Sequence, residues 1–218
     1  TLGIVSAKGQ CIPVDLKTDH LENPLGIDNS VPRLSWRLED TRQGARQSAY
    51  KILVDTDSMN VLNGKGNLWD TGKQTKDAIL VNYKGKSLNP FTRYYWKVIV
   101  WDMDNKESVS AVNFFETGMM NIKNWQGAWI GDGKDIHYEP APYFRKKFTT
   151  SKTIKSARAY IAVAGLYELY INGEKAGNHR LDPLYTRFDC SHLHVIYVFP
   201  TQLQNSLHAL GVLLVYGF

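Results

Sequence analysis

The chain has few of the features by which a sequence identifies a disulfide-stabilised domain, a membrane protein or a nucleic-acid-binding protein. Its 218 residues include two cysteines, Cys11 and Cys190, which are too few and too far apart for a disulfide framework or a cysteine metal site. No apolar run approaches the roughly 20 residues that a spanning helix needs. The net charge of +5 comes from scattered Lys and Arg, whereas nucleic-acid binding requires a basic patch. We therefore expect free, buried thiols, no membrane span and no nucleic-acid partner.

Motifs for catalysis and for cofactor or metal binding are equally scarce. Residues 131–133 read Gly-Asp-Gly, but no βαβ unit surrounds them as a dinucleotide loop requires. No Ser or Cys occupies a nucleophile elbow. His192 and His194 fall on one face of a predicted strand, yet strand histidines are more often hydrogen-bonded than metal-bound, and residues 132–135 carry too few oxygens for a calcium loop. We therefore predict no catalytic residue, no cofactor and no metal.

What the sequence does contain is a long aromatic strand pattern at residues 88–102. Its apolar and aromatic side chains recur at every second position, as in a strand with one buried face. The run begins Leu-x-Pro-x-Thr-x-Tyr and ends on Trp-Asp. This is the pattern of a tyrosine corner, in which Tyr94 turns its hydroxyl back onto the backbone a few residues upstream. The run therefore predicts a fibronectin-III-like or immunoglobulin-like sandwich.

Further strand patterns surround this run in the first half of the chain. Together with it they amount to about seven strands in about one hundred residues, the inventory of such a sandwich. A short helical turn is predicted at residues 57–62. The other predicted strands lie at residues 14–18, 33–38, 50–55, 67–72, 78–81 and 109–115.

The outward face of the long strand is not polar. Tyr95, Ile99 and Trp101 alternate with the residues of the predicted core. Three apolar side chains on one strand form a candidate patch, whereas a single exposed one needs no explanation. We expect them to pack against side chains of a neighbouring strand or against another domain.

The second half of the chain is also predicted to be all-β. Strand patterns occur at residues 143–148, 157–164, 166–171, 195–198 and 210–215. Asn172-Gly173 directly after one of them is a strong hairpin signal. Because the chain stops on an apolar run, a sandwich ending there would leave an unpaired hydrophobic strand. We therefore expect this module to be truncated at its C-terminus.

These patterns divide the chain into four segments. Residues 1–13 are a leader or signal remnant, and two readings of their first seven residues stay open: the tail of a secretory signal cleaved after Ala7, or a short flexible leader. Residues 14–118 form the fibronectin-III-like sandwich, residues 119–124 are a linker, and residues 125–218 form the second sandwich.

Several motifs in order resemble the N-terminal region of bacterial α-L-rhamnosidases, a family of glycoside hydrolases. They cover nearly the whole chain from about Val14, and the last four are similar to a jelly-roll module. The segments are residues 22–28 (Glu-Asn-Pro-Leu-Gly-Ile-Asp), 32–38, 46–54, 68–73, 94–98 and 115–118, then 125–130, 164–169, 171–173 and 181–183.

The resemblance implies a non-catalytic accessory region. In this family an α/α-barrel C-terminal to these modules carries the acidic catalytic pair, and this chain has neither its length nor its helical periodicity. Glu168, Asp182 and Asp189 lie on predicted strands and turns, where carboxylates usually make turn hydrogen bonds or face solvent. The resemblance implies that the partner is the missing catalytic domain, that the parent enzyme releases terminal α-L-rhamnose, and that it is periplasmic or extracellular. We expect the chain alone to be inactive.

Two alternatives from other functional classes remain. The chain is a free-standing carbohydrate-binding module if exposed aromatic rings stack on rhamnose-containing glycans, although packing inside the core is the commoner role of such rings. A cell-surface adhesion module is favoured by fold analogy alone. The candidate sugar-contacting residues are Tyr138, Tyr143, Tyr167, Tyr170 and Tyr185.

Overall fold

The computed structural model describes residues 10–128, 130–134, 141–151, 154, 157–161, 163 and 166–177, and the backbone of residues 194–198 and 207–215. The chain forms two compact units, residues 1–125 and 126–218. Both are built from antiparallel strands, which confirms the predicted all-β class. Within the described residues, no helix has the length and apolar character needed to cross a membrane.

Over residues 10–125, the first unit contains eight strands and two short helical segments. Helix α1 (Ser58–Leu62) follows the third strand, and the Asp57 side chain caps it by accepting a hydrogen bond from the Met59 N–H, so the predicted helical turn is confirmed. A single 3₁₀ turn spans Ile122–Asn124. The strands are β1 (Ile12–Thr18), β2 (Arg33–Glu39), β3 (Gln47–Asp55), β4 (Trp69–Asp70), β5 (Leu80–Asn82), β6 (Arg93–Asp102), β7 (Glu107–Val109) and β8 (Asn113–Glu116).

These strands form a sandwich of two sheets. One sheet has the order β1-β2-β5, and the other has the order β4-β3-β6-β7, with β8 also pairing with β6. The prediction of a single strand at residues 109–115 is therefore wrong, because two strands, β7 and β8, occupy this region. Ser110 breaks it, because its Oγ instead of a backbone carbonyl accepts a hydrogen bond from the Val98 N–H at 3.0 Å. Strands β7 and β8 thus act as one interrupted edge strand, and the arrangement is that of a fibronectin type III domain.

The core lies between the two sheets and is centred on β6. Tyr94, Trp96, Val98 and Val100 alternate inward and are at most 1% exposed. They pack with apolar residues of β2, β3 and β8. The predicted tyrosine corner is confirmed, because the Tyr94 hydroxyl accepts a hydrogen bond of 2.6 Å from the backbone N–H of Asn89.

The described residues of the second unit form six strands in two sheets. The first sheet has the order β12-β11-β14-β9, and the second pairs β10 with β13. The predicted hairpin is confirmed, since Asn172 (φ 53°) and Gly173 (φ 88°) join β11 to β12 in the left-handed conformation of a tight turn. The strands are β9 (Tyr143–Thr149), β10 (Ala157–Ile161), β11 (Leu166–Ile171), β12 (Glu174–Lys175), β13 (His194–Val198) and β14 (Leu207–Val215).

Candidate functional site

Arg42 organises the most strongly charged cluster in the first unit. It lies in the β2–β3 loop, and the other members come from that loop and from the turn after β6. Its guanidinium contacts Asp40 at 2.6 Å, Asp102 at 2.6 Å and Asp104 at 2.7 Å. The Asp40 and Asp102 side chains are only 5% and 1% exposed. Cys11 is free and buried close by, as predicted for this thiol, whereas Cys190 lies outside the described residues.

The electrostatics of the Arg42 cluster oppose a general-acid role for Asp40 and Asp102. The side-chain hydrogen bond from Arg42, outweighing burial, lowers the pKa of Asp40 to about 2. Burial is the largest influence on Asp102 and would raise its pKa. The backbone N–H groups of Lys106 and Asp104, together with the Arg42 guanidinium and its charge, lower that pKa overall. Glycoside hydrolysis requires a carboxyl that is still protonated near the working pH, so this cluster stabilises the loops at one end of the sandwich.

The predicted patch on β6 lies on the outer face of its sheet. Tyr95, Ile99 and Trp101 are all partly buried. Tyr95 packs edge-on against Phe114 of β8, with ring centroids 6.3 Å apart, and the Lys73 ammonium lies 4.3 Å from the centre of the Trp101 ring. Phe114 of the neighbouring strand therefore covers part of the Tyr95 ring, and Lys73 of the loop after β4 covers part of the Trp101 ring. Contact of this face with another domain stays a prediction.

Two members of this outer face were missed by sequence reasoning. Lys97 points outward between Tyr95 and Ile99 but is only 7% exposed, because α1 lies over it and its Nζ donates a hydrogen bond of 3.1 Å to the Leu62 carbonyl. Burial lowers the pKa of Lys97. Val109 of β7 pairs with Ile99 and is 47% exposed. The alternation that identified the patch also places Lys97 on this face, so the sequence did contain a signal for Lys97. It contained none for Val109, because the pairing of Val109 with Ile99 depends on the turn after β6.

The candidate sugar-contacting tyrosines fall into different environments. Tyr143 is 59% exposed on β9, and Tyr170 is partly exposed on β11. Tyr167 is 1% exposed in the core of the second unit, so the structure contradicts its assignment as a sugar platform: a ring packed against Leu169 and Ile171 has no open face. Tyr138 and Tyr185 lie outside the described residues.

A polar pair beside Tyr170 was also missed. The Glu168 carboxylate accepts hydrogen bonds from the Tyr170 hydroxyl at 2.7 Å and from Lys175 Nζ at 2.6 Å. The sequence contained a signal for this cluster. The two-residue turn at Asn172-Gly173 places Lys175 opposite Tyr170, and Glu168 lies two residues away on the same face.

Metal binding has no support in the arrangement of the described side chains. In the described part of the chain, no three His, Cys, Asp or Glu side chains come together as metal ligands would. His192 lies outside the described residues, and of His194 only the backbone is described.

The motifs singled out in the first half of the chain hold the sandwich together. The Trp36 indole N–H donates to Gln47 Oε1 at 3.0 Å inside the core, and Gln47 Nε2 donates to the Ala78 carbonyl at 2.9 Å. The Gly118 N–H donates to the Ile27 carbonyl at 2.8 Å, which ties the end of the sandwich to the loop after β1. The residues of these motifs therefore provide hydrogen-bond partners for buried polar groups and attach a loop to the sandwich.

Comparison with known proteins matches both units to families of N-terminal domains. Residues 13–121 match the family described as the Rha78A-like N-terminal immunoglobulin domain. Residues 152–218 match the family described as the α-L-rhamnosidase N-terminal domain.

Similar proteins are much longer than this chain. An α-L-rhamnosidase of Formosa agariphila is 34% identical over an alignment of 220 positions that covers 90% of this chain and 23% of the relative. The structure of an α-L-rhamnosidase from Dictyoglumus thermophilum aligns with a TM-score of 0.86 and 40% identity over 94% of this chain and 25% of that one. A Streptomyces avermitilis α-L-rhamnosidase complexed with L-rhamnose aligns with a TM-score of 0.54 and 27% identity, over 93% of this chain and 22% of that one. The chain thus spans about a quarter of the length of these relatives.

Proposed function

Because the chain belongs to the Rha78A-like N-terminal immunoglobulin domain family of α-L-rhamnosidases, we propose that it is the non-catalytic accessory region of such an enzyme. The parent enzyme releases terminal α-L-rhamnose from glycans or glycosides. The observation that carries this proposal is the alignment of nearly the whole chain with only about a quarter of its relatives. Both matched families are described as N-terminal domains.

The local chemistry supports the same conclusion. The carboxylates that cluster in the first unit form ion pairs with Arg42. The pKa values of two of them, Asp40 and Asp102, are lowered. A glycosidase general acid needs a raised pKa, and its partner carboxylate must stand several ångströms away across the substrate. The chain alone should therefore not turn over an aryl α-L-rhamnoside, and steady hydrolysis by the purified chain above that of a buffer control would contradict the proposal.

The accessory role that we propose is to brace the catalytic part of the parent enzyme through the outer face of the β4-β3-β6-β7 sheet. Supporting this role, the face carries the partly buried Tyr95, Ile99 and Trp101 together with the exposed Val109. Apolar residues grouped on one face are typical of interaction surfaces. The occupant is a domain of the same polypeptide, since relatives continue well beyond the matched region.

A matched pair of variants tests the bracing role in the full-length parent enzyme. Val109→Ser and Leu80→Ser each remove a side chain that is 47% exposed, the first on the outer face of β7 and the second on β5 of the other sheet. Val109→Ser should lower the Tm of the parent enzyme by about 2–4 °C while leaving that of the 218-residue chain unchanged. Leu80→Ser should change neither. Equal effects of the two variants on the parent enzyme would contradict docking through this face.

A second candidate function is binding of rhamnose-containing glycans by the second unit. The observation that favours it is the position of Tyr143 and Tyr170 on one face of the sheet, the former 59% exposed. Calorimetric titration of the chain with L-rhamnose tests it. Binding at millimolar sugar that Tyr143→Ala weakens supports this function, and the absence of heat leaves the bracing role alone.

A further inference from the structure

The outer face of the β12-β11-β14-β9 sheet has a glycine, Gly211, on the strand between β11 and β9. The register places Tyr170 opposite Gly211 and Gly211 opposite Arg145, so a residue without a side chain separates the two. Two strand spacings amount to about 10 Å, which sets the distance between the backbones of β11 and β9. Between the Tyr170 and Arg145 positions, the central strand therefore contributes only the backbone of Gly211. We call the surface formed by Tyr143, Arg145, Glu168, Tyr170 and Lys175 around this glycine the Gly211 face.

One wall of the Gly211 face is an ordered polar cluster. The Glu168 carboxylate binds Tyr170 and Lys175, at 2.7 and 2.6 Å, and its side chain is 16% exposed. The hydrogen bond to Glu168, followed by burial and the charges of Glu168 and Tyr143, raises the pKa of Tyr170. The Tyr170 hydroxyl therefore stays neutral near pH 7. Groups fixed in this way lose little conformational freedom when they bind a ligand hydroxyl.

The opposite wall is aromatic and basic. Tyr143 and Arg145 lie two residues apart on β9, on the same face and both exposed. Lys147 continues that row and is also exposed. Within the described residues no carboxylate pairs with Arg145 or Lys147, whereas Lys175 is paired with Glu168. The positive charge of this wall is therefore available to an anionic ligand.

We propose that the Gly211 face binds an acidic sugar, with its ring over Gly211 and its carboxylate on Arg145. The Tyr143 ring stacks on the C–H face of the sugar, and Glu168 and Lys175 bind its hydroxyls. Arginine matches a carboxylate with two parallel hydrogen bonds, which a neutral sugar does not offer. This inference rests on the glycan-binding function proposed above for the second unit and names the sugar class. The parent enzyme would then be held on polysaccharides in which uronic acids accompany rhamnose.

Titration of the ¹⁵N-labelled 218-residue chain with two matched sugars tests the proposal. Methyl β-D-glucuronide and methyl β-D-glucoside differ only at C6, which is a carboxylate in the first and a hydroxymethyl group in the second. The glucuronide should give saturable amide shifts in residues 141–149 and 166–177. Its affinity should exceed that of the glucoside by about tenfold, the factor expected for one charge-assisted hydrogen-bond pair, and should fall as salt is added.

Variants on one strand separate this site from general electrostatic attraction. Arg145→Ala should weaken glucuronide binding about tenfold. Lys146→Ala is the matched control, because it removes the same charge from the opposite face of the same strand. Tyr143→Ala should weaken the binding of both sugars. Unchanged circular dichroism and urea midpoints establish that each variant is folded.

The outcomes distinguish this proposal from the function on which it rests. Equal affinity for the two sugars, or equal losses in Arg145→Ala and Lys146→Ala, would overturn the acidic-sugar site. Increased aggregation of Arg145→Ala with unchanged binding would show that the charge only protects an exposed sheet edge. A separate titration with methyl α-L-rhamnoside that shifts other residues would leave the glycan-binding function standing without this site.

Discussion

Tyr94 shows how one polar atom stabilises the core of the first unit. Its ring is 1% exposed and stacks on Phe115, with centroids 5.3 Å apart. Its hydroxyl accepts the hydrogen bond from the Asn89 N–H. Burial of the ring alone would leave that backbone donor without a partner, and unpaired buried donors are costly. The hydroxyl therefore fixes the loop before β6 to the strand itself.

Removing this hydroxyl should measurably destabilise the sandwich. Tyr94→Phe leaves the ring in place and the Asn89 N–H unpaired, so we expect a loss of about 1–2 kcal/mol in the free energy of unfolding by urea. Tyr50→Phe is the matched control: Tyr50 is 6% exposed, and its hydroxyl has no hydrogen-bond partner among the described residues. A loss in Tyr50→Phe as large as that in Tyr94→Phe would contradict the role assigned to the corner.

At the scale of elements, the segment after β8 is attached to the sandwich by several hydrogen bonds. Besides the bond from Gly118 to Ile27, the Phe91 N–H donates to the Gly118 carbonyl, and the Met120 N–H donates to Asp28 Oδ1 at 2.6 Å. Asn121 caps the 3₁₀ turn that follows by accepting from the Lys123 N–H. The residues predicted to be a linker are thus held against the loop at residues 23–28, which fixes the direction in which the chain leaves β8.

A methyl group at Gly118 should disrupt this attachment. A Cβ at this position would lie 2.7 Å from Asp28 Oδ1 and 2.8 Å from the Gly26 carbonyl oxygen. Gly118→Ala should therefore destabilise the chain by about 1–3 kcal/mol, the usual range for overpacking, and should speed hydrogen exchange at Met120. Gly131→Ala is the control, with no atom within 4 Å of its Cβ and an expected change within about 0.5 kcal/mol. Equal stability of the two variants would show that the loop at residues 23–28 shifts to accommodate the methyl group without loss of stability.

The edge of the second unit's larger sheet has a different kind of protection. Strand β9 pairs only with β14 among the described strands, and it carries Arg145, Lys146 and Lys147 in sequence. Lys146 shares a face with Phe144 and Phe148, which is the side of the sheet that carries the core. A charge on the core side of an edge strand disfavours pairing with another chain. Charges on both faces of β9 thus serve solubility as well as the proposed binding.

On the scale of the whole molecule, each unit has its own apolar core. In the first unit, this core lies between the two sheets of the sandwich. A core of that kind is what allows a domain to fold alone. Residues 1–125 should therefore unfold in urea in a single cooperative transition. A version ending at Thr117 lacks the hydrogen bonds of the attached segment and should be less stable by about 1–2 kcal/mol. Failure of the longer fragment to give a cooperative transition would contradict the independence of the first unit.

Local sequence determined much of this fold because the signals were periodic or stereochemical. Alternation located β6 and its buried face, the corner pattern located the Tyr94 hydrogen bond, and Asn172-Gly173 located the β11–β12 turn. Each of these depends on residues close together in the chain. The division of β7 from β8 was not predicted, because it depends on a hydrogen bond between Ser110 and a residue of another strand.

What the tertiary structure alone decided is which side chains share a surface. Sequence reasoning grouped Tyr167 with Tyr143 and Tyr170 because all three are aromatic, but the packing of β11 buries Tyr167 and leaves the other two on the outer face. Arg42 meets Asp102 across 60 residues, and Arg145 faces Tyr170 across a glycine of a third strand. Local period and backbone preference specify most of the strands and the tight turns, so these could be predicted from the sequence. Burial and charge pairing depend on which strands become neighbours, and only the assembled sheets determine that.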